Sequence, residues 1–293
     1  VTAHQLLDAG VLLDRIADRI PADLRDNVVV IGSIATAWAF RDLSGTATVA
    51  TKDIDLLLRP AIQATSTAES IAAQLLSLGW RPVYTGDRSP GTPQTPDHEL
   101  PALRLAPPGE DAGWFVELLG TPQPGQQDRR VWQRFDTHLG AFGLPCFRFM
   151  PVAVDGAAPA ACGLRVAEPA RMALAHVLEH AEPDDTPIAS LPGNPPRFIK
   201  DVGRAVSLWW LASEKSPTAD DAWLQQWRDT IEKLYPDQQA PQQNAAIQGL
   251  ATIRHDLRGA HDLAVRSVLA PHGTPYEAWL RAYDGLIDLT KCL

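Results

Sequence analysis

Asn27-Val-Val-Val-Ile-Gly-Ser33 and, eighteen positions after its end, Thr51-Lys-Asp-Ile-Asp-Leu-Leu57 are the two stretches that decide the fold. The first is a β-branched run that stops at Gly32-Ser33, and Ile34–Phe40 continues it with the small and apolar residues of a helix packed on a sheet. The second returns as a strand. Side chains alternate along a strand, so Asp53 and Asp55 share one face while Ile54 and Leu56 take the other. Two carboxylates on one face can grip one cation. Leu103–Leu105, the turn residues 107–113 and Trp114–Leu119 read as strand, turn and strand, a hairpin that supplies a third carboxylate, Glu117. An all-oxygen set of this kind suits Mg²⁺, which takes carboxylate, water and phosphate ligands. Gly32 lets the backbone approach a phosphate closely, the free N–H groups of the following helix favour negative charge, and Ser33 adds a hydroxyl donor.

Outward from this centre, Leu6–Ile20 has the three-and-four apolar spacing of a helix stopped by Pro21, and Thr67–Leu78 has the spacing of another closed by Gly79. Asp42–Ala50 is expected to be a loop, as is the proline-rich run from Arg81 to Pro101, which suits substrate access. From Glu168 onward the pattern is helical over Pro169–Ala181, Phe198–Ser213, Asp220–Leu234, Ala245–Leu269 and Pro275–Leu289, with a Gln-rich connector at Asp237–Asn244. The expected class is α+β: a mixed sheet flanked by helices in residues 1–150, followed by a mainly helical domain in residues 151–293.

Composition narrows the function classes. A chain of 293 residues with 45% hydrophobic side chains can fill two cores, and no apolar run approaches the roughly 20 residues a membrane span requires. The opening Val1-Thr-Ala-His-Gln-Leu-Leu-Asp8 is amphipathic and acidic rather than basic and then apolar, so a cytoplasmic location is expected. Cys146, Cys162 and Cys292 are scattered without CxxC spacing, which points to neither a disulfide framework nor a thiolate zinc site. A net charge of −9 argues against general DNA binding.

On Gly32-Ser33, Asp53-Ile54-Asp55 and Glu117 the chain resembles the DNA polymerase β-like nucleotidyltransferase superfamily, with its Gly-Ser turn, helix, Asp-x-Asp strand and later carboxylate. Thr51-Lys-Asp-Ile-Asp-Leu-Leu57 is similar to the wording of bacterial nucleotidyltransferase-like proteins related to abortive-infection toxins, and Glu168–Leu174 and Lys200-Asp201 resemble segments of their helical domains. The resemblance implies a Mg²⁺-dependent enzyme that moves an NMP group from an NTP to a hydroxyl acceptor: a small molecule, a protein side chain or an RNA end. It makes Asp53, Asp55 and Glu117 the catalytic and metal-holding residues. Gly32, Ser33, Lys52 and Lys200 become the nucleotide-binding ones. A toxin-like role follows from the same likeness.

Other readings stand beside this one. A noncatalytic module of the same fold would bind nucleotide or a protein without turnover. Arg104, across the hairpin from Glu117, is a candidate ion-pair partner for it, and the pairing is compatible with metal binding. His176-Val-Leu-Glu-His180 has the H-x-x-E-H order of a zinc peptidase, making His176, Glu179 and His180 the residues of an alternative zinc hydrolase, although Pro183 cuts that helix short. His255-Asp256 and His261-Asp262 read as the surface of one helix, and Trp209, Trp210, Trp223 and Trp227 as packing.

Overall fold

A computed structural model of the chain describes residues 6–45, 47–84, 89–109, 113–126, 128–183, 185–189 and 191–293. In chain order its first elements are β1 (Leu6–Asp8), α1 (Ala9–Ala17), β2 (Val28–Ile31), α2 (Gly32–Ala39), α3 (Arg41–Ser44), β3 (Thr48–Ala50) and β4 (Asp53–Leu58). There follow α4 (Ala64–Ser77), β5 (Arg81–Pro82), β6 (Arg104–Ala106), β7 (Phe115–Gly120), β8 (Arg130–Thr137) and β9 (Gly140–Phe147). Next come α5 (Met150–Val154), β10 (Ala158–Pro159) and β11 (Arg165–Val166). The remainder is helical: α6 (Pro169–Glu179), α7 (Arg197–Lys215), α8 (Ala219–Leu234), α9 (Gln239–Ala251), α10 (Leu257–Val265) and α11 (Tyr276–Lys291). The protein is therefore of mixed α+β class. Among the described residues no helix is long and apolar enough to cross a membrane.

The chain forms two compact units, Val1–Ile34 with Thr51–Ala167, and Ala35–Ala50 with Glu168–Leu293. The position near residue 150 expected to divide them falls inside the first unit, because the strands at Ala158–Pro159 and Arg165–Val166 join its sheet: β11 runs parallel to β2, pairing Arg165 with Val29. That sheet has the order β10-β11-β2-β4-β7-β6-β5, with β9 joined to β7 and β8 to β9. Directions are mixed. β2 and β4 are antiparallel, β4 and β7 parallel, and β6 and β7 the expected antiparallel hairpin, whose turn residues 110–112 lie outside the described set.

Burial explains the strand sequences. β2 is buried at all four positions, as a central Val/Ile run should be. β4 and β7 have one and the same pattern: the first and third residues are half-covered and the rest are buried. Ile54, Leu56, Val116 and Leu118 fill the core face, each burial contributing about 1.5–3 kcal/mol, while Asp53, Asp55, Phe115 and Glu117 line the other face where cover is incomplete. α4 packs against β4, β7 and β8 through Ala64, Thr67, Ala68, Ile71, Ala72 and Leu75, a single helical stripe.

Several expectations are corrected. The N-terminal helix starts only at Ala9, because Asp8 caps it by accepting from the Val11 amide at 2.9 Å; residues 1–5 lie outside the described set. Asp42–Ala50, expected as a loop, contains most of α3 and all of β3. The described part of the Arg81–Pro101 run has little regular structure beyond β5 and a single turn at Asp97–Glu99; residues 85–88 lie outside it.

In the second unit Trp209, Trp223 and Trp227 are buried as packing residues, and Trp227 Nε1 donates to the Ala170 carbonyl at 2.8 Å. The single helix expected over Ala245–Leu269 is two. α9 begins inside the Gln-rich connector at Gln239, and α10 restarts where Asp256 Oδ1 accepts from the Gly259 amide at 3.0 Å. His261 is buried rather than on a surface, with Nε2 3.0 Å from the Thr274 carbonyl oxygen.

Candidate functional site

Register places the predicted carboxylates. Asp55 lies directly opposite Glu117 on the parallel neighbour β7, and Asp53 lies opposite Phe115. Adjacent strands are about 4.8 Å apart and alternate residues of one strand about 6.6 Å apart, so all three carboxylates arise from one small patch of one sheet face. On the other side of β4, Ile31 is opposite Asp55, so Gly32 and Ser33 follow at the end of β2 beside the Asp55 row.

Gly32 is needed there for a backbone reason. Its φ of +69° lies in the left-handed region, where an L side chain is strained, and this single residue turns strand β2 into helix α2. Ser33 is buried just inside the helix. Gly32, Ser33, Asp53 and Asp55 all have polar or electrostatic partners within the protein.

The carboxylates differ in what holds them. Thr51 Oγ1, itself buried, donates to Asp53 Oδ1 at 2.6 Å. Glu117 is held by Arg104 from β6: Nε donates to Oε2 at 3.1 Å and Nη2 to Oε1 at 3.3 Å. Arg104 is opposite Glu117 in the hairpin register, and its guanidinium carbon stands 5.3 Å from the centre of the Phe115 ring. The ion pair read as a candidate from the sequence is therefore formed, with side-chain exposures of 26% for Arg104 and 13% for Glu117, low enough to make it more than a surface contact. Among the described residues no group of three or more His, Cys, Asp and Glu side chains is gathered as a metal cage. Asp53, Asp55 and Glu117 thus share a face, but Glu117 is turned toward Arg104.

The two lysines fall in different places. Lys52 is exposed immediately before β4, its carbonyl accepting from the Phe115 amide at 2.8 Å, which ties the start of β4 to the start of β7. Lys200 is on α7 of the second unit, with Nζ 4.0 Å from Asp201 Oδ1. Beside it, His180 Nε2 lies 3.2 Å from Asp201 Oδ2. Burial pushes the His176 pKa down to about 3, so this imidazole is neutral at pH 7. His176 and Glu179 lie on α6 and His180 follows as its C-terminal cap, but His180 Nε2 is engaged by Asp201.

Three participants were missed in the sequence reading. Thr51 positions Asp53, and a hydroxyl two residues before a strand carboxylate is a readable signal for that contact. Phe115 shares the Glu117 face by the same alternation that placed Asp53 and Asp55. Asp201 was read only as the neighbour of Lys200, and nothing local announces its bond to His180, 21 residues earlier.

Comparisons with family models, with curated proteins and with solved structures return no match to this chain.

Proposed function

We propose that the first unit is a nucleotidyltransferase-like domain and that the protein is a Mg²⁺-dependent nucleotidyltransferase, transferring an NMP group from an NTP to a hydroxyl acceptor. The observation that carries this reading is the row formed by Asp55 and Glu117 on adjacent parallel strands, with Asp53 on the same face and the left-handed Gly32 at the end of the neighbouring strand. The donor set is oxygen only, which fits Mg²⁺, and the Gly32 elbow and the start of α2 offer amide hydrogens to a phosphate. Bound Mg²⁺ would neutralise polyphosphate charge and lower the pKa of a coordinated hydroxyl.

The residues divide the work. Asp53, oriented by Thr51, and Asp55 would hold the cation–triphosphate, Gly32 and Ser33 would seat a phosphate, and Lys52, next to Asp53 in the chain, is a candidate triphosphate counter-charge. The acceptor oxygen forms a new bond to the α-phosphorus as the bond from that phosphorus to the bridging oxygen breaks. Pyrophosphate leaves, and the hydroxyl proton passes to the carboxylate set. The acceptor is a small molecule, a protein side chain or an RNA end.

A second reading, a nucleotide-binding module without turnover, is favoured by one contact: both Glu117 oxygens are engaged by Arg104. Release of labelled pyrophosphate from each NTP, with cell lysate as acceptor source, separates the two. Release that disappears in the Asp53→Asn/Asp55→Asn double variant supports the enzyme. Mg²⁺-dependent NTP binding without release supports the module, and the absence of both ends the nucleotidyltransferase reading.

A further inference from the structure

Three consecutive strands of the sheet, β6, β7 and β4, place Arg104, Glu117 and Asp55 in one cross-strand row. Glu117 is the middle member. On one side a guanidinium covers both of its oxygens, at 3.1 and 3.3 Å; on the other stands a second carboxylate one strand away. A divalent cation shared by Asp55 and Glu117 would need those same Glu117 oxygens at about 2.1 Å, which the guanidinium occupies with charge of the same sign. Arg104 and a cation are therefore competitors for Glu117.

We propose that Arg104 is a switchable counter-ion of the site. Without nucleotide it holds Glu117 away from the metal position, and when a triphosphate arrives the guanidinium moves to the phosphates and releases Glu117 to complete the carboxylate set with Asp53 and Asp55. The inference rests on the nucleotidyltransferase reading and adds to it how the metal site is assembled. Three physical points carry it. A guanidinium fork matches phosphate as well as carboxylate, so the exchange replaces one bidentate partner with another. The pair is partly covered rather than deeply buried, so Arg104 retains a path to solvent and to a ligand on this face. The Phe115 ring, two residues before Glu117 on that same face and opposite Asp53, gives the guanidinium a second surface on which to rest outside the ion pair. The consequence is coupling: nucleotide and metal assist one another through one arginine, and by linkage the assistance is reciprocal.

The test uses the full chain and binding alone, without turnover. Mn²⁺ binding is titrated by electron paramagnetic resonance in the absence of nucleotide, and binding of a fluorescent NTP analogue is titrated in EDTA. Arg104→Met is expected to tighten Mn²⁺ binding by roughly tenfold and to weaken metal-free nucleotide binding by a similar factor, both within the usual range of site-to-site coupling. The gain in Mn²⁺ affinity should vanish in Arg104→Met/Glu117→Gln. A merely structural arginine would not shift the two affinities in opposite directions. If circular dichroism shows Arg104→Met unfolded, Arg104→Lys, which keeps the charge and loses the fork, carries the same measurement with smaller shifts of the same signs. Unchanged affinities in a folded variant, or a Mn²⁺ gain that survives Glu117→Gln, would overturn the switch while leaving the nucleotidyltransferase reading standing. Failure of the wild-type protein to bind NTP analogue with or without Mn²⁺ would overturn both.

Discussion

Thr51 and Asp53 are joined by a 2.6 Å hydrogen bond from Oγ1 to Oδ1, made just where β4 begins. Thr51 is buried while Asp53 is half-covered, so one carboxylate oxygen is fixed by a side chain anchored in the core and the orientation of the other follows from it. Thr51→Val keeps the shape and removes the donor. Isothermal titration with Mn²⁺ and NTP analogue should show affinity reduced by about tenfold, as is usual for loss of an orienting partner, with stability lowered by only about 1 kcal/mol. An affinity equal to wild type would remove Asp53 from the metal-holding set.

Gly32 makes a second point about the same face. Its φ of +69° is required by the change from strand to helix, and an alanine there would keep the chain direction only by paying left-handed strain. Urea denaturation of Gly32→Ala should show a loss of about 1–2 kcal/mol, and nucleotide affinity should fall further than that of a surface glycine variant such as Gly109→Ala, whose φ of +77° is similar but lies in the hairpin turn. Equal nucleotide affinities in the two variants would argue that the elbow has only a structural role.

The carboxylate face was legible because strand alternation is local. Asp53-Ile-Asp55 and Phe115-Val-Glu117 each fix their own facing, and the apolar flanks fix which side is core. Arg104 was legible as a candidate partner of Glu117, but that it engages both oxygens was not, since Arg104 and Asp55 stand opposite Glu117 on its two neighbouring strands. The β8–β9 hairpin escaped because β9 is buried at six consecutive positions and contains Gly143 and Pro145, leaving no period of two to read. The polarity of Asp237–Asn244 reads as a connector, yet Gln is a good helix former and Gln242 is buried in α9. The assignment of Ala35–Ala50 to the second unit depends on long-range packing that no local pattern encodes.

Gly249 lets α9 approach the backbone of α6 closely. A Cβ added there would fall 1.9 Å from the Val177 carbonyl oxygen, a backbone atom of a buried helix that has little freedom to withdraw. Gly249→Ala should therefore destabilise the protein by about 3 kcal/mol or more despite the better helix propensity of alanine. Thermal unfolding checks this, and a variant as stable as wild type would mean that α9 can slide along α6.

His176 and Asp201 give the second unit an acid limit with a definite sign. Burial depresses His176 to about 3; Arg204 and Lys200 on α7 and His180 at the end of its own helix push the same way, and Asp201 opposes them. Burial pushes Asp201 up, but the hydrogen bond from His180, followed by Lys200 and His176, holds it well below the usual carboxylate range. Between about pH 6.5 and 3 the unfolded chain carries a proton on His176 that the folded chain does not. Stability is then complete above pH 6.5 and declines as the pH falls, by up to about 1.4 kcal/mol per pH unit for one proton, while Asp201 adds its own loss only below about pH 3.8. Other groups share the limb: burial also lowers His272, and ordinary carboxylates enter below about pH 5. The diagnostic window is therefore pH 6.5 to 5. Chemical denaturation across it should show the slope of His176→Gln reduced by close to one proton relative to wild type, with His272 accounting for part of what remains. An unchanged slope would show that His176 takes up its proton without penalty in the folded protein, and that the α6–α7 packing is looser around it than the buried His180–Asp201 contact implies.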